Sequence, residues 1–122
     1  MDRRLKTKDI YRHVHIGAGT FGLGFVVPLV TKSGFQTVLA NRAHGSATHA
    51  RNMVIRSQCS YDLRLLGKQV RIESVPVADF IFIDDEKDRF LEIVADSQTR
   101  LLTTALRHGF LPSIPIIAEA LV

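Results

Sequence analysis

The chain has 122 residues, enough for one domain with its own core and too few for two. Its 46% hydrophobic and 23% charged content is that of an ordinary globular protein, and no apolar run approaches the roughly 20 residues that span a bilayer. The net charge of +4 is scattered from Arg3, Arg4, Lys6 and Lys8 to Arg64, Lys68 and Arg71, with no basic stripe interleaved with aromatics, which argues against nucleic acid as a partner. The opening MDRRLKTKDI is basic but lacks the apolar core of a secretory signal. A single cysteine, Cys59, excludes an internal disulfide framework and fits a reducing cytoplasm.

Tyr11–Ile16 reads as a first strand, apolar enough for the centre of a parallel sheet. His13 and His15 alternate within it and share a face. They read as sheet residues near an edge or at the lead-in, with no ligand cluster for a metal around them. The strand delivers the chain into Gly17-Ala18-Gly19-Thr20-Phe21-Gly22, and an apolar stretch with helical potential, Phe25–Val30, follows. This is G-x-G-x-x-G with a strand before it and a helix after it. Gly17 permits the tight turn, Gly19 lets backbone N–H groups approach a pyrophosphate, and Gly22 lets the helix pack closely on the sheet. The helix N-terminus adds unpaired N–H groups and a positive dipole end. Residues 17–22 are therefore the candidate dinucleotide-binding turn.

The first helix is expected over Phe21–Ser33, with Pro28 kinking it and Ser33-Gly34 stopping it. Gln36–Ala40 forms the second strand and closes a βαβ unit of about thirty residues. At its end, where an acidic residue would bind a ribose 2′-hydroxyl, the chain has Asn41 and Arg42. The amide can accept from a hydroxyl and the guanidinium can pair with a 2′-phosphate, so the cofactor is NAD or NADP, with NADP favoured.

A second helix is predicted over Gly45–Gln58, with Ser46 or Thr48 as N-cap. Cys59–Leu66 and Gln69–Val75 read as an inserted antiparallel hairpin around Gly67-Lys68, with Cys59 a small strand or loop residue. Ala78–Ile83 is a short strand or a buried loop. The acidic run Asp84-Asp85-Glu86-Lys87-Asp88 opens a helix that continues through Phe90, Leu91, Ile93 and Val94, its acids capping and solvating the start. Leu101–Leu106 is the next parallel strand. Its end places Thr103, Thr104 and Ala105 at the groove as candidate cofactor contacts; buried strand threonines are the other reading. Ser113–Val122 starts a final helix, with Pro115 in its first turn. Together these elements predict an α/β, Rossmann-like domain over residues 1–122, with a mostly parallel sheet, helices on both faces and an inserted β-hairpin. An unpaired edge strand after the fourth parallel strand would invite a homodimer.

With these residues in place, the sequence resembles the N-terminal domain of the mannitol-1-phosphate 5-dehydrogenase family, within the wider group of polyol and hexuronate dehydrogenases. The likeness rests on Gly17-Ala18-Gly19-Thr20-Phe21-Gly22-Leu23-Gly24-Phe25, above all on the pair Gly22-x-Gly24-Phe25. The hairpin around Gly67, Thr103-Thr104-Ala105 and a Pro-Ile-Ile-Ala helix follow the family order. Two positions depart from it: Leu23 stands where a basic residue is frequent, and Asn41 replaces an acid that marks NAD preference. The resemblance implies hydride transfer between a nicotinamide ring and a sugar alcohol or its phosphate, with cofactor contacts from residues 17–22, Asn41, Arg42, Thr104 and Ala105. The family's catalytic lysine lies in a helical C-terminal domain that these residues do not match. The expectation is therefore a truncated cofactor-binding portion that binds dinucleotide weakly, without turnover, and meets the sugar alcohol phosphate only with that domain. A nucleotide-sensing or purely structural module is the alternative.

Overall fold

A strand over Arg12–Ile16 (β1) is buried from His13 onward and pairs with a parallel neighbour on each side. The computed structural model describes residues 10–106 and 108–122. One neighbour of β1 is Gln36–Asn41 (β2), which in turn pairs with a third parallel strand, Asp79–Phe82. The other is Thr99–Thr104, giving a four-stranded parallel sheet. The two strands of the predicted hairpin, Ser60–Leu65 (β3) and Arg71–Pro76 (β4), form a separate antiparallel ribbon in which Tyr61 faces Val75. Asp79–Phe82 is thus β5 and Thr99–Thr104 is β6, and the sheet order is β5-β2-β1-β6. The chain moves outward from β1 through β2 and β5, then returns to add β6 on the opposite side. That reversal opens a crevice at the carboxyl ends of β1, β2 and β6.

Helices cover both faces. On one, Leu23 and Val27 of the first helix and Ile55 of His49–Gln58 (α2) meet Leu39, Phe80 and Phe82, and Val75 and Val77 bring the ribbon against the same core. On the other, Phe90 of Lys87–Ala95 (α3) and Ile117 of Ile114–Ala120 (α4) cover Val14, Ile16, Val38, Ala40 and Ile81. Burial on both sides is why the central strands read as near-continuous apolar runs. Among the described residues no helix is long and apolar enough to cross a membrane.

Two expectations are corrected. The second helix begins at His49, not Gly45: residues 42–48 form a loop, and Thr48 occupies the N-cap position without a side-chain cap bond. Cys59 belongs to neither hairpin strand. It ends α2 in the left-handed conformation (φ 57°), its N–H bonded to the Ile55 carbonyl at 2.9 Å.

The first helix (α1) starts at Thr20, widens into a π turn over Gly22–Val26 and finishes as an α-helix over Val27–Lys32. In the π turn the Val27 N–H bonds to the Gly22 carbonyl. The Leu23 carbonyl would next accept from residue 28, but proline has no N–H. That orphaned acceptor is taken by the Tyr61 hydroxyl of β3 at 2.6 Å. The widened turn lies directly before Pro28, and the Tyr61 bond gives the ribbon a fixed attachment to α1. Burial pushes the Tyr61 phenol up from its ordinary value, so it stays protonated to donate this bond.

Tyr61→Phe should therefore cost about 1–2 kcal/mol in denaturant unfolding, because it leaves a buried carbonyl unpaired. In a Pro28→Ala background an N–H becomes available to Leu23, and the same Tyr61→Phe change should cost less than half as much. Equal costs in both backgrounds would contradict this account.

Candidate functional site

The glycine turn is built by collisions that a side chain could not avoid. Gly17 lies at φ 102°, and a Cβ there would overlap the Ala105 carbonyl; its N–H bonds to the Ala40 carbonyl at 2.8 Å. A Cβ on Gly22 would overlap the His15 imidazole and lie 2.9 Å from the Gly17 carbonyl oxygen. Gly19 differs: a Cβ there would meet nothing within 4 Å. Two glycines therefore serve the packing of β1, β6 and α1, and the third faces open space.

That space is a cavity of about 360 Å³ at the carboxyl ends of the strands, toward the small end of the range for ligand sites. Of the residues expected at a cofactor site, it is lined by Ala18, Gly19, Thr20, Asn41, Arg42 and Ala105. Gly17 and Gly22 lie beneath it. Like those two glycines, Phe21 and Thr104 are not among its lining. The Phe21 ring is 62% exposed and packs on Phe25, with ring centroids 5.4 Å apart. Thr104 is exposed at the end of β6. Thr103, the other candidate hydroxyl, turns into the sheet toward the histidines.

The far wall comes from residues 45–48 and Arg51, which sequence reasoning did not select. Arg51 crosses the crevice and donates to the Ala18 carbonyl of the glycine turn. A second guanidinium bond reaches the Oδ1 of Asn52 at 3.1 Å. Asn52, fully buried, in turn reaches Thr48 Oγ1 at 3.4 Å and so ties Arg51 to the loop. Partial burial lowers the Arg51 pKa from its ordinary value. The available signal was the run Gly45-Ser46-Ala47-Thr48, small and hydrogen-bonding, ahead of a helix whose first turn carries Arg51. Arg42 lies over Gly45, where a Cβ would come 3.0 Å from its guanidinium; Gly45 has φ 74°. Asn41 is buried at the end of β2, and its carbonyl accepts from the Ile83 N–H at 2.9 Å.

Of the acidic run, Glu86 stands at the N-cap of α3 without a side-chain cap bond and Asp88 lies in its first turn, while Asp84 and Glu86 spend their carboxylates elsewhere. Asp84 accepts the backbone N–H groups of Ala43 (2.7 Å) and His44 (2.8 Å), clamping the loop that carries Arg42. Burial alone would raise the Asp84 pKa, but these two bonds outweigh it and hold the carboxyl below its ordinary value. Glu86 makes a bidentate pair with Arg56 at 2.8 and 3.0 Å and accepts the Phe82 N–H, joining α2 to the start of α3. Among the described residues no group of histidines, cysteines or carboxylates could hold a metal ion.

His13 and His15 are not edge residues. Both are fully buried in the central strand, beneath α1, with ring centroids 6.0 Å apart. Their hydrogen bonds have one consistent direction. The Gly17 carbonyl only accepts, so the His15 Nε2, 3.0 Å away, carries a proton. The neutral His15 Nδ1 then accepts from the Thr103 hydroxyl at 2.7 Å. Thr103 Oγ1 in turn accepts from the His13 Nε2–H at 2.5 Å, and His13 Nδ1 accepts from the Thr37 hydroxyl at 2.9 Å. Burial lowers the pKa of both rings. For His13 the repulsion of His15 adds to it and the value falls to about 4; for His15 the bond to Gly17 opposes it.

No family model matches the chain, and no curated protein is significantly similar to it.

The histidines give stability a pH dependence of defined sign. In the unfolded chain His13 takes up a proton near its ordinary value of 6.5, whereas in the fold it stays neutral down to about 4. The unfolded state therefore binds more protons across this window, and unfolding free energy falls as pH drops through it. His13 alone should remove roughly 3 kcal/mol by the lower end. Denaturant midpoints from pH 7.5 to 4.5 should fall steadily, and His13→Gln should flatten the fall. A flat wild-type profile would contradict the buried neutral pair.

Proposed function

We propose that the chain is a Rossmann-like dinucleotide-binding domain, the cofactor half of an NAD(P)-dependent oxidoreductase of the mannitol-1-phosphate 5-dehydrogenase type. The observation that carries this reading is the contrast among the three glycines. Gly17 and Gly22 are demanded by packing, whereas Gly19 lines the cavity with room beside its backbone. A turn needed only for architecture has no use for the third glycine; one that admits a diphosphate does. The strand order β5-β2-β1-β6 supports the same reading, because it puts the cavity where the sheet reverses direction.

In this reading the N–H groups at the start of α1 face the diphosphate. Arg51 brings positive charge to its far side, and Asn41 and Arg42 address the adenosine ribose. Asn41 in place of a carboxylate, with Arg42 beside it, favours the 2′-phosphate of NADP. Ala105, at the end of β6, leaves room for the chain of the second nucleotide. The cofactor itself supplies the hydride chemistry. The lining offers hydroxyls, an amide and two guanidinium groups, none suited to exchange a proton near neutral pH, so the acid–base group for alcohol oxidation comes from outside the cavity. The chain alone is then a binding unit, and the sugar alcohol phosphate engages it only together with a substrate domain.

Titration with NADPH and NADH, by fluorescence or calorimetry, tests this. Saturable binding with NADPH the tighter ligand is expected, and Asn41→Asp should shift the preference toward NADH. Gly19→Val should weaken binding about tenfold to a hundredfold while leaving the denaturation midpoint unchanged, since the new side chain fills only the cavity. A folded wild-type chain that binds neither cofactor would overturn the proposal.

A further inference from the structure

The two buried histidines have no place in the dinucleotide reading as it stands, yet their hydrogen-bonded chain ends on the turn that would receive the diphosphate. His15 lies directly under that turn. Its Nε2–H bonds to the Gly17 carbonyl, and its ring fills the space that a side chain at residue 22 would need. The imidazole is therefore wedged between the turn and the first part of α1. Its other nitrogen is held by Thr103, so β6 fixes the plane of the ring. Thr103 is in turn oriented by the His13 Nε2–H, and His13 by Thr37 of β2. Three parallel strands thus converge on one carbonyl.

We propose that His15 is a positioning residue for the ligand turn: by donating to the Gly17 carbonyl it aims the N–H groups of Gly19 and Thr20 into the cavity, and Thr103 and His13 hold it in the tautomer that can donate. This rests on the dinucleotide reading of the same turn. The donor direction is what makes the role specific. Were the His15 proton on Nδ1, the bare Nε2 would face the Gly17 carbonyl, two acceptors 3.0 Å apart, and the turn would have to move. The Thr103 hydroxyl prevents this by donating to Nδ1. Protonation of His15 disturbs the same arrangement. A cationic ring donates from both nitrogens, so Thr103 would face N–H groups from both histidines and its own proton would lose its acceptor. Among the described residues, the groups that bond or abut the two rings are Gly17 of the turn, Thr37 from β2, Thr103 from β6 and Gly22 from α1, none of them titratable; each imidazole is the other's titratable neighbour.

The test compares wild type with His15→Leu, His15→Gln and Thr103→Val. It reads NADP affinity between pH 5 and 8 together with the backbone amide resonances of residues 17–20 in the free protein. His15→Leu, which removes the donor, should weaken NADP binding about tenfold and shift the turn amides, while His15→Gln, which keeps an N–H in reach, should stay within about threefold. Thr103→Val should weaken binding in the same direction and alter the His15 ring nitrogen resonances, and it decides the matter if His15→Leu does not fold. On acidification wild-type affinity should fall more steeply than that of His15→Gln, a difference that a merely space-filling histidine would not produce. Turn amides and affinity unchanged in His15→Leu, or in Thr103→Val where the former does not fold, would overturn the proposal. If wild type binds no NADP, the dinucleotide reading fails, and the turn amides still decide whether His15 sets the turn.

Discussion

The close approach of α1 to β1 is the constraint on which the rest of the structure depends. With no side chain at residue 22, the helix can settle on His15 and the Gly17 carbonyl. With no side chain at residue 17, the turn can pass under Ala105. From that contact follow the position of the helix start, the depth of the crevice, and the burial of two imidazoles in a place where charge is costly. The same closeness obliges His15 and His13 to be fully hydrogen-bonded, and Thr37 and Thr103 meet that need. An alanine at Gly22 would ask the helix to lift from the sheet, opening the core that holds Leu23 and Val27, and one at Gly17 would push the turn off Ala105.

The two faces of the sheet do different work. The α3/α4 side is centred on apolar packing of Phe90 and Ile117 against Val14, Ile16, Val38 and Ala40. The α1/α2 side carries the imidazole chain, the Tyr61 bond to Leu23 and the Arg51 bridge to Ala18, three links that tie separate segments together. Such networks rigidify only when every member is satisfied. The loops above that face are clamped in the same manner: Asp84 holds residues 43 and 44, and Arg51 holds the glycine turn. The cavity between them is therefore framed by groups already fixed in place, the condition under which a polar ligand loses least in ordering its site.

Much of this was legible in the sequence. The strand–glycine–helix pattern located the turn, and apolar runs located β1, β2 and β6 to within two residues, because strands buried on both faces leave a dense signal. The hairpin was legible from Gly67-Lys68 between two strand-like runs. What escaped was whatever depends on contact between distant segments. Nothing local to Pro28 says that Tyr61, 38 residues beyond Leu23 in sequence, will take the carbonyl that the proline leaves bare. Asp84 looked like a helix-start acid because its neighbours are acidic, but its partners lie 41 and 40 residues away. In the sequence His13 and His15 read only as sheet residues near an edge or at the lead-in. Their threonine partners on both flanking strands, visible only once register is known, reverse that expectation.

We propose that the space beside Gly19 receives a diphosphate. A crystal structure of the chain grown with NADPH tests it most directly. We predict the diphosphate within hydrogen-bonding reach of the Gly19 and Thr20 N–H groups, Arg51 alongside it, and the adenosine ribose against Asn41 and Arg42. Cofactor bound away from the glycine turn, or a cavity left empty at saturating NADPH, would contradict it.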